Sequence, residues 1–272
     1  MLPHAHITLS ELQRLVKETL HERFALPVWV SAEISEVKVN YSGHCYLELV
    51  EKGEGDGVPK AQARAVIWRS QYARIAAYFE AETGQRLAAG MRILAKATVN
   101  YHELYGFSLQ LLDVDPAYTL GDMERQRQQT IARLQAEGVW EMNRQQAMPA
   151  VVQCIAVVSS SRAAGYQDFC NELAKSPYRF CLTLFDAVVQ GAAAEDSIVD
   201  ALSRIAAAGE AFDAVVMIRG GGSSSDLNCF NAYRLCNHVA QFPLPVVTGI
   251  GHDKDTSVAD LVAHTALKTP TA

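Results

Sequence analysis

The hydropathy period of this chain changes once along its length, and that change restricts the folds open to it. In the first 118 residues apolar and polar residues alternate. In "VWVSAEISEVKV" Val28, Val30, Ala32 and Ile34 fall on one face, and "GHCYLELV" alternates again. A period of two belongs to half-buried strands. "AQARAVIW" supplies a third strand, "SQYARIAAYF" a short helix, and "MRILAKATVNYHELYGFSLQLLDV" two more strands with a turn at Glu103 to Gly106. Five strands with a helix between the third and fourth is the order of an OB barrel. Ahead of them "TLSELQRLVKETLHERF" predicts a helix: Thr8 and Glu11 have capping-box spacing, and Leu9, Leu12, Val16, Leu20 and Phe24 form one apolar stripe.

Beyond Pro149 the alternation gives way to continuous apolar runs. "VQCIAVVSS", "FCLTLFDAVVQG", "FDAVVMIRGGG" and "PLPVVTGIGHD" read as strands, each followed by a helical stretch. Val/Ile runs separated by helices predict a parallel sheet covered on both faces. The expected organisation is therefore all-β followed by α/β: a barrel over 1–118, a helical linker over 119–150, and a parallel α/β domain over 151–272.

The net charge of −6 excludes a uniformly basic nucleic-acid coat but not a local basic groove, because field shape counts for more than the sum. Six cysteines show no CxxC pair and no histidine at zinc-ligand spacing, and most lie in apolar runs. Buried, reduced thiols in a cytoplasmic protein are the expectation. "MLPHAHITLSEL" lacks the marks of a signal peptide, and no apolar run approaches the roughly 20 residues of a membrane span.

In open α/β sheets ligands bind just past the carboxyl ends of the strands. Those positions hold "SSSRAAG", "DAVVQG", "RGGGSSSD" and "GIGHDKD". "RGGGSSSD" is neither a Walker loop, lacking Gly-Lys-Ser/Thr, nor a dinucleotide fingerprint, having Ser225 at the place of the third glycine. Its Gly220, Gly221, Gly222 and Ser223 nevertheless let backbone N–H groups approach an anion, which Arg219 can grip with two parallel bonds. The alternative is a tight strand-to-helix turn capped by Ser225 or Asp226. His252, with Asp253 and Asp255 close behind, offers a proton-transfer group and a carboxylate to orient it. The structural alternative has Asp255 capping a helix from Thr256, with Asp260 on its solvent face. Asp168, taken alone, reads as a solvated helix carboxylate. In the barrel, Lys38, Tyr46, Arg64, Trp68, Arg69 and Tyr105 interleave cations and aromatics as single-strand stacking surfaces do, although strand aromatics also serve packing.

The chain resembles the exodeoxyribonuclease VII large-subunit family over nearly all of its length. The resemblance is carried by "LSELQRLVKETL", "WVSAEISEVKVNYSGHCYLEL", "IAVVSSSRAAGYQD", "IRGGGSSSDLNCFN", "PVVTGIGHDKDTSVADLVA" and "TPTA". It implies an OB domain that binds single-stranded DNA and a catalytic domain that hydrolyses it from both 5′ and 3′ ends to short oligonucleotides with 5′-phosphates. It implies that no cofactor is strictly required, with room left for Mg2+, and it places the essential positions at Asp168, Arg219, His252 and Asp255. It also implies a small-subunit partner recruited through a long helical region expected beyond Ala272. Asp253 and Lys254 replace the family's usual Glu-Thr, Ser225 replaces an acidic residue, and His264 and Ala266 depart from the downstream pattern. Lys254 sets a cation beside His252, which would lower its pKa. From the residues alone, a metal-dependent phosphohydrolase using His252, Asp253 and Asp255, or a non-catalytic single-strand-binding module, stand as the competing readings.

Overall fold

The structure, a computed structural model, describes residues 6–53, 58–191, 193–209, 211–219, 224–250 and 256–269. It divides into two compact units, Met1–Asp122 and Met123–Ala272. The boundary falls within helix α3, Pro116–Ala136.

The first unit is a closed five-strand barrel in the order β1-β2-β3-β5-β4. Its strands are β1 (Val28–Val39), β2 (Cys45–Lys52), β3 (Pro59–Ile67), β4 (Arg92–His102) and β5 (Gly106–Asp115). All pairs are antiparallel except β3 with β5. In β1 the expected inward set of Val28, Val30, Ala32 and Ile34 is less exposed than the residues at 29 and 31, but the alternation slips at Ser35. A bulge there moves the next inward residue to Val37, which packs on the core, while the Ser35 hydroxyl donates to the Glu48 carbonyl at 3.1 Å. Bulges insert one residue and add twist, which helps a sheet close. Helix α2 (Arg69–Thr83) contributes Ile75 and Phe79 to the barrel core, each worth roughly 1.5–3 kcal/mol by burial.

Helix α1 (Leu9–Arg23) starts with the expected capping box of Thr8 and Glu11. Its apolar stripe, however, is not buried. Val16 and Leu20 are half-buried, whereas Leu9 and Leu12 are exposed. The helix is held to the barrel by polar contacts: Tyr101 with Gln13, and Lys17 with Glu103 at 2.9 Å.

The second unit is a parallel sheet in the order β10-β9-β8-β6-β7, made of β6 (Cys154–Ser159), β7 (Cys181–Asp186), β8 (Ala214–Ile218), β9 (Val246–Gly249) and the two-residue β10 (Thr265–Ala266). Helix α4 (Ala164–Ala174) covers one face, packing Tyr166, Phe169 and Leu173 against Ile155, Val157 and Ile218. The other face carries α5 (Ala194–Ala207), α6 (Tyr233–Ala240) and α7 (Val258–Val262), through Ile198, Leu202, Leu235 and Val258. Coverage is not uniform: β7, an edge strand, has no buried residue. After β8 a 3-10 helix, Ser224–Asn231, precedes α6.

The segment expected as a linker, 119–150, belongs from Met123 onward to this second unit. Leu134 and Val139 lie in its core, and Asn143 is fully buried. Asn143 Nδ2 donates to the carbonyls of Phe242 and Leu244, and its Oδ1 accepts from the backbone N–H of Val246 and His264. No helix among the described residues is long and apolar enough to cross a membrane.

Candidate functional site

The parallel sheet reverses its direction of growth at β6. From there the chain adds β7 on one side, then β8 and β9 on the other. The loops leaving β6 and β8 therefore diverge to opposite faces, α4 on one and the 3-10 helix with α6 on the other. Such a switch point leaves a crevice at the carboxyl ends of the strands. Register puts Ser159 level with Asp186, Val158 with Met217, and Ile218 with Gly249. The residues that follow these strands consequently share one edge.

Arg219 is the first residue past β8, and its backbone N–H still reaches the Gly249 carbonyl at 3.4 Å. The side chain is buried to 5% exposure. A guanidinium in that position is screened little by solvent, so an anion brought to it feels more of its charge than at a surface. Gly220, Gly221, Gly222 and Ser223, expected to cradle that anion, lie outside the described residues.

Across the reversal, the loop from β6 to α4 is tied back by Asp186, whose Oδ1 accepts the Ser161 N–H at 2.7 Å. Helix α4 opens with Ala163 as an N-cap that has no side-chain bond. Asp168 is the fifth residue of this helix and is exposed, about 6 Å along the axis from its start. Arg219 thus follows β8, and Asp168 lies in the helix that follows β6, the two strands on either side of the reversal. An exposed carboxylate is the hard oxygen donor that Mg2+ accepts. Among the described residues no three His, Cys, Asp or Glu side chains come together.

His252 and Asp255 also lie outside the described residues, as do Asp253 and Lys254. The chain on either side of them is well held. Ile250 is buried at the end of β9. Downstream, α7 begins at Val258 with Ser257 as its N-cap, so Thr256 is not the start of the helix. Asp260 is buried rather than solvent-facing: its Oδ2 accepts from the Ser257 hydroxyl at 2.7 Å and the Ser257 N–H at 3.0 Å, completing a capping box. Arg127 donates to the Thr256 carbonyl at 3.5 Å and Arg144 to that of Leu261. Asn231, the last residue of the 3-10 helix after the glycine loop, accepts the Val258 N–H at 2.9 Å. Asn231 escaped the sequence reading although "FN" closes the glycine motif; its role depends on a partner on another loop.

In the barrel, four of the six candidate strand-binding residues gather at the β1–β2 hairpin. Tyr46 pairs across the ladder with Lys38 and with Val66. Trp68, just past β3, stands edge-on to the His44 ring at 4.9 Å, and the Arg69 N–H donates to His44 Nδ1. Gly43 in the hairpin has φ +84°, and a Cβ there would meet Arg69 Cγ at 3.1 Å, so the turn and the arginine stem fit only around glycine. Arg64 stands in a row with Glu48 and Glu36 across the ladder, and the Glu48 carboxylate accepts from Gln62 and Ser35. Tyr105 belongs elsewhere. It lies in the β4–β5 turn against His102 at 4.7 Å, and because β5 runs parallel to β3 this turn is at the opposite end of β3 from Trp68.

Comparison with known proteins agrees with both halves. Residues 7–115 match the OB-fold nucleic acid binding domain family, and residues 139–272 match the family described as exonuclease VII, large subunit. The exodeoxyribonuclease 7 large subunit of Deinococcus radiodurans is 37% identical over 98% of this chain and 66% of that protein. That of Rhodopirellula baltica is 32% identical over 97% of this chain and 56% of its own length. That of a Nostoc species is 34% identical over 97% of this chain and 60% of its own length. The chain spans less than two thirds of the length of these relatives. From its barrel to its switch-point loops, the chain belongs to the exodeoxyribonuclease 7 large-subunit family.

Proposed function

We propose that this chain is the strand-binding and catalytic part of a cytoplasmic enzyme that hydrolyses single-stranded DNA from both 5′ and 3′ ends, releasing acid-soluble oligonucleotides with 5′-phosphates. The observation that carries this reading is the buried Arg219 on one side of the sheet's reversal, with Asp168 on the helix at the other side. Arg219 meets the non-bridging oxygens of the scissile phosphate, with the glycine loop giving the phosphate room. His252 moves the proton of the attacking water or of the leaving oxygen, and Asp255 orients it. Asp168 supplies a second carboxylate for water activation. Where Mg2+ is bound, Asp168 and Asp255 would hold it, and the ion would supply further positive charge to the phosphate.

The barrel holds the strand through Tyr46 and Trp68 as stacking platforms and Lys38 and Arg69 as phosphate contacts, with Arg64 and Tyr105 extending the path. The relatives are named large subunits, which supports assembly with a small subunit. End-labelled single- and double-stranded oligonucleotides incubated with the full-length protein, with and without EDTA, test the proposal. Oligonucleotide release from single strands only, persisting in EDTA, is expected. Strict loss in EDTA would favour the metal-dependent phosphohydrolase, and binding without any release the non-catalytic module.

A further inference from the structure

The cysteines do not follow the expectation of buried thiols. All six are free, yet among them only Cys45 and Cys236 are buried; Cys181 is exposed, and Cys154, Cys170 and Cys229 are half-buried. Cys154 and Cys181 open β6 and β7, and the parallel register sets them directly opposite each other. Side chains of directly paired residues in a parallel ladder leave the same face. Neighbouring strands lie about 4.8 Å apart, within the window of about 4.4–6.8 Å that disulfides span between Cα atoms. The two thiols are near enough that, after desolvation, Cys181 raises the pKa of Cys154.

The backbone around them is fixed. Asp213 Oδ2 accepts the N–H groups of Gln153 at 2.8 Å and Cys154 at 2.7 Å. The Asp213 N–H donates to the Cys154 carbonyl and the Cys181 N–H to that of Gln153, both at 2.8 Å. Cys229 and Cys236 also neighbour each other, but the Cys236 thiol is fully buried and donates to the Phe230 carbonyl. Access therefore separates the two pairs.

We propose that Cys154 and Cys181 form a dithiol site that a hydroperoxide oxidises to a disulfide. The exposed Cys181 thiolate attacks the hydroperoxide; the O–O bond breaks, Cys181 becomes a sulfenic acid, and an alcohol leaves, or water when the oxidant is hydrogen peroxide. The Cys154 sulfur then displaces the sulfenic oxygen as water and the S–S bond forms. Two thiols lose two electrons, and one hydroperoxide is reduced. The bond lies at the amino ends of the strands, opposite the switch-point crevice, and closes a ring containing α4 and Asp168. It ties edge strand β7 to β6 while leaving the catalytic edge open. Desolvation first, then the neighbouring thiol, holds the Cys154 pKa above its ordinary 9.0, so the resolving step quickens as pH rises toward that range.

The test treats the reduced full-length protein with hydrogen peroxide, counts thiols under denaturing conditions and maps peptides by mass. The expected result is the loss of two thiols, a peptide pair joined through Cys154 and Cys181, reversal by dithiothreitol, a higher Tm and unchanged cleavage of single-stranded DNA. Phenylarsine oxide, which condenses with two adjacent thiols and releases one water, should bind the reduced protein one to one. Cys181→Ser, a conservative change at an exposed site, should abolish both results. Over-oxidation of Cys181 to sulfinic acid with Cys154 still free would overturn the proposal, and so would arsenical binding that survives Cys181→Ser.

Discussion

Asn231 and Val258 lie 27 residues apart and are joined by one bond, the Val258 N–H donating to Asn231 Oδ1 at 2.9 Å. The bond fastens the 3-10 helix that follows the glycine loop to the first turn of the helix that follows the histidine loop. The elements that follow Arg219 and His252 in the chain are thereby tied together by a residue that need touch no substrate.

Asn231→Ala should therefore damage turnover more than folding. One neutral hydrogen bond contributes about 1 kcal/mol to stability, whereas a displacement of about 1 Å between catalytic groups can cost 10²-fold in rate. We expect cleavage of single strands by the full-length enzyme to fall at least about tenfold, with a small loss of Tm and unchanged strand affinity. Asn231→Asp, which keeps the acceptor, should recover most of the rate. Equal loss in both variants would show that the acceptor is not what counts.

Asn143 gives a contrasting prediction, because it serves the fold alone. Its side chain makes four hydrogen bonds inside the core, two donated and two accepted. Asn143→Ala leaves all four backbone partners short of a bond, at about 1–3 kcal/mol for each group left buried and unsatisfied. Chemical denaturation should show a loss of at least about 3 kcal/mol. A loss under about 1 kcal/mol would mean that water replaces the amide.

These two asparagines mark where the sequence stops being readable. The capping box of Thr8 and Glu11 and the inward set of Val28, Val30, Ala32 and Ile34 were legible because their partners are a few residues away or follow from alternation. The bulge at Ser35 was not, since nothing in "SAEISEVKV" announces an extra residue. Asn143 sits in "NRQQAMPA", polar enough to pass for a linker, and its partners lie 99 to 121 residues away. Asp260 looked solvent-facing because the helix was expected to start at Thr256; starting at Val258, it turns the same carboxylate inward onto Ser257. The candidate site was read as a set of strand ends, and Arg219 does lie directly past β8, buried. That Tyr105 stands apart from Trp68 required the β3–β5 register.

Asp213 makes the stability of the α/β unit depend on pH. Backbone N–H groups of Cys154 and then Gln153 hold its carboxyl below its ordinary 3.8. A depressed carboxylate stabilises the fold above its unfolded pKa, and that contribution is lost as pH falls through the folded value. The gap in Tm between the parent and Asp213→Asn should be full at pH 6 and should narrow as pH drops below 3.8. A constant gap would mean that the carboxylate's charge contributes nothing.

In the barrel, Trp68→Ala and Tyr46→Ala should each weaken single-strand binding by about 1–3 kcal/mol through lost stacking. Lys38→Ala should instead flatten the salt dependence by about 0.7 in log–log slope. Labelled oligonucleotides titrated at several salt concentrations separate the two effects. Equal affinity for duplex, or no salt dependence in the parent, would contradict the hairpin cluster as a strand-binding surface.

On the proposed mechanism the strand ends of the α/β unit perform hydrolysis while the barrel holds DNA. The test is single-turnover cleavage of end-labelled single strands by the full-length protein, with and without the proposed small subunit, comparing the parent with Arg219→Ala and His252→Ala and adding a binding titration and a thermal melt for each. Removing a preorganised charge at the reacting phosphate typically costs about 10²–10³ in rate, and removing a proton-transfer group roughly 10²–10⁴. Both variants should fold, bind DNA within a few-fold of the parent and lose that much cleavage, as should Asp255→Ala. If His252→Ala melts like the parent and cleaves within a few-fold of its rate, the mechanism is wrong.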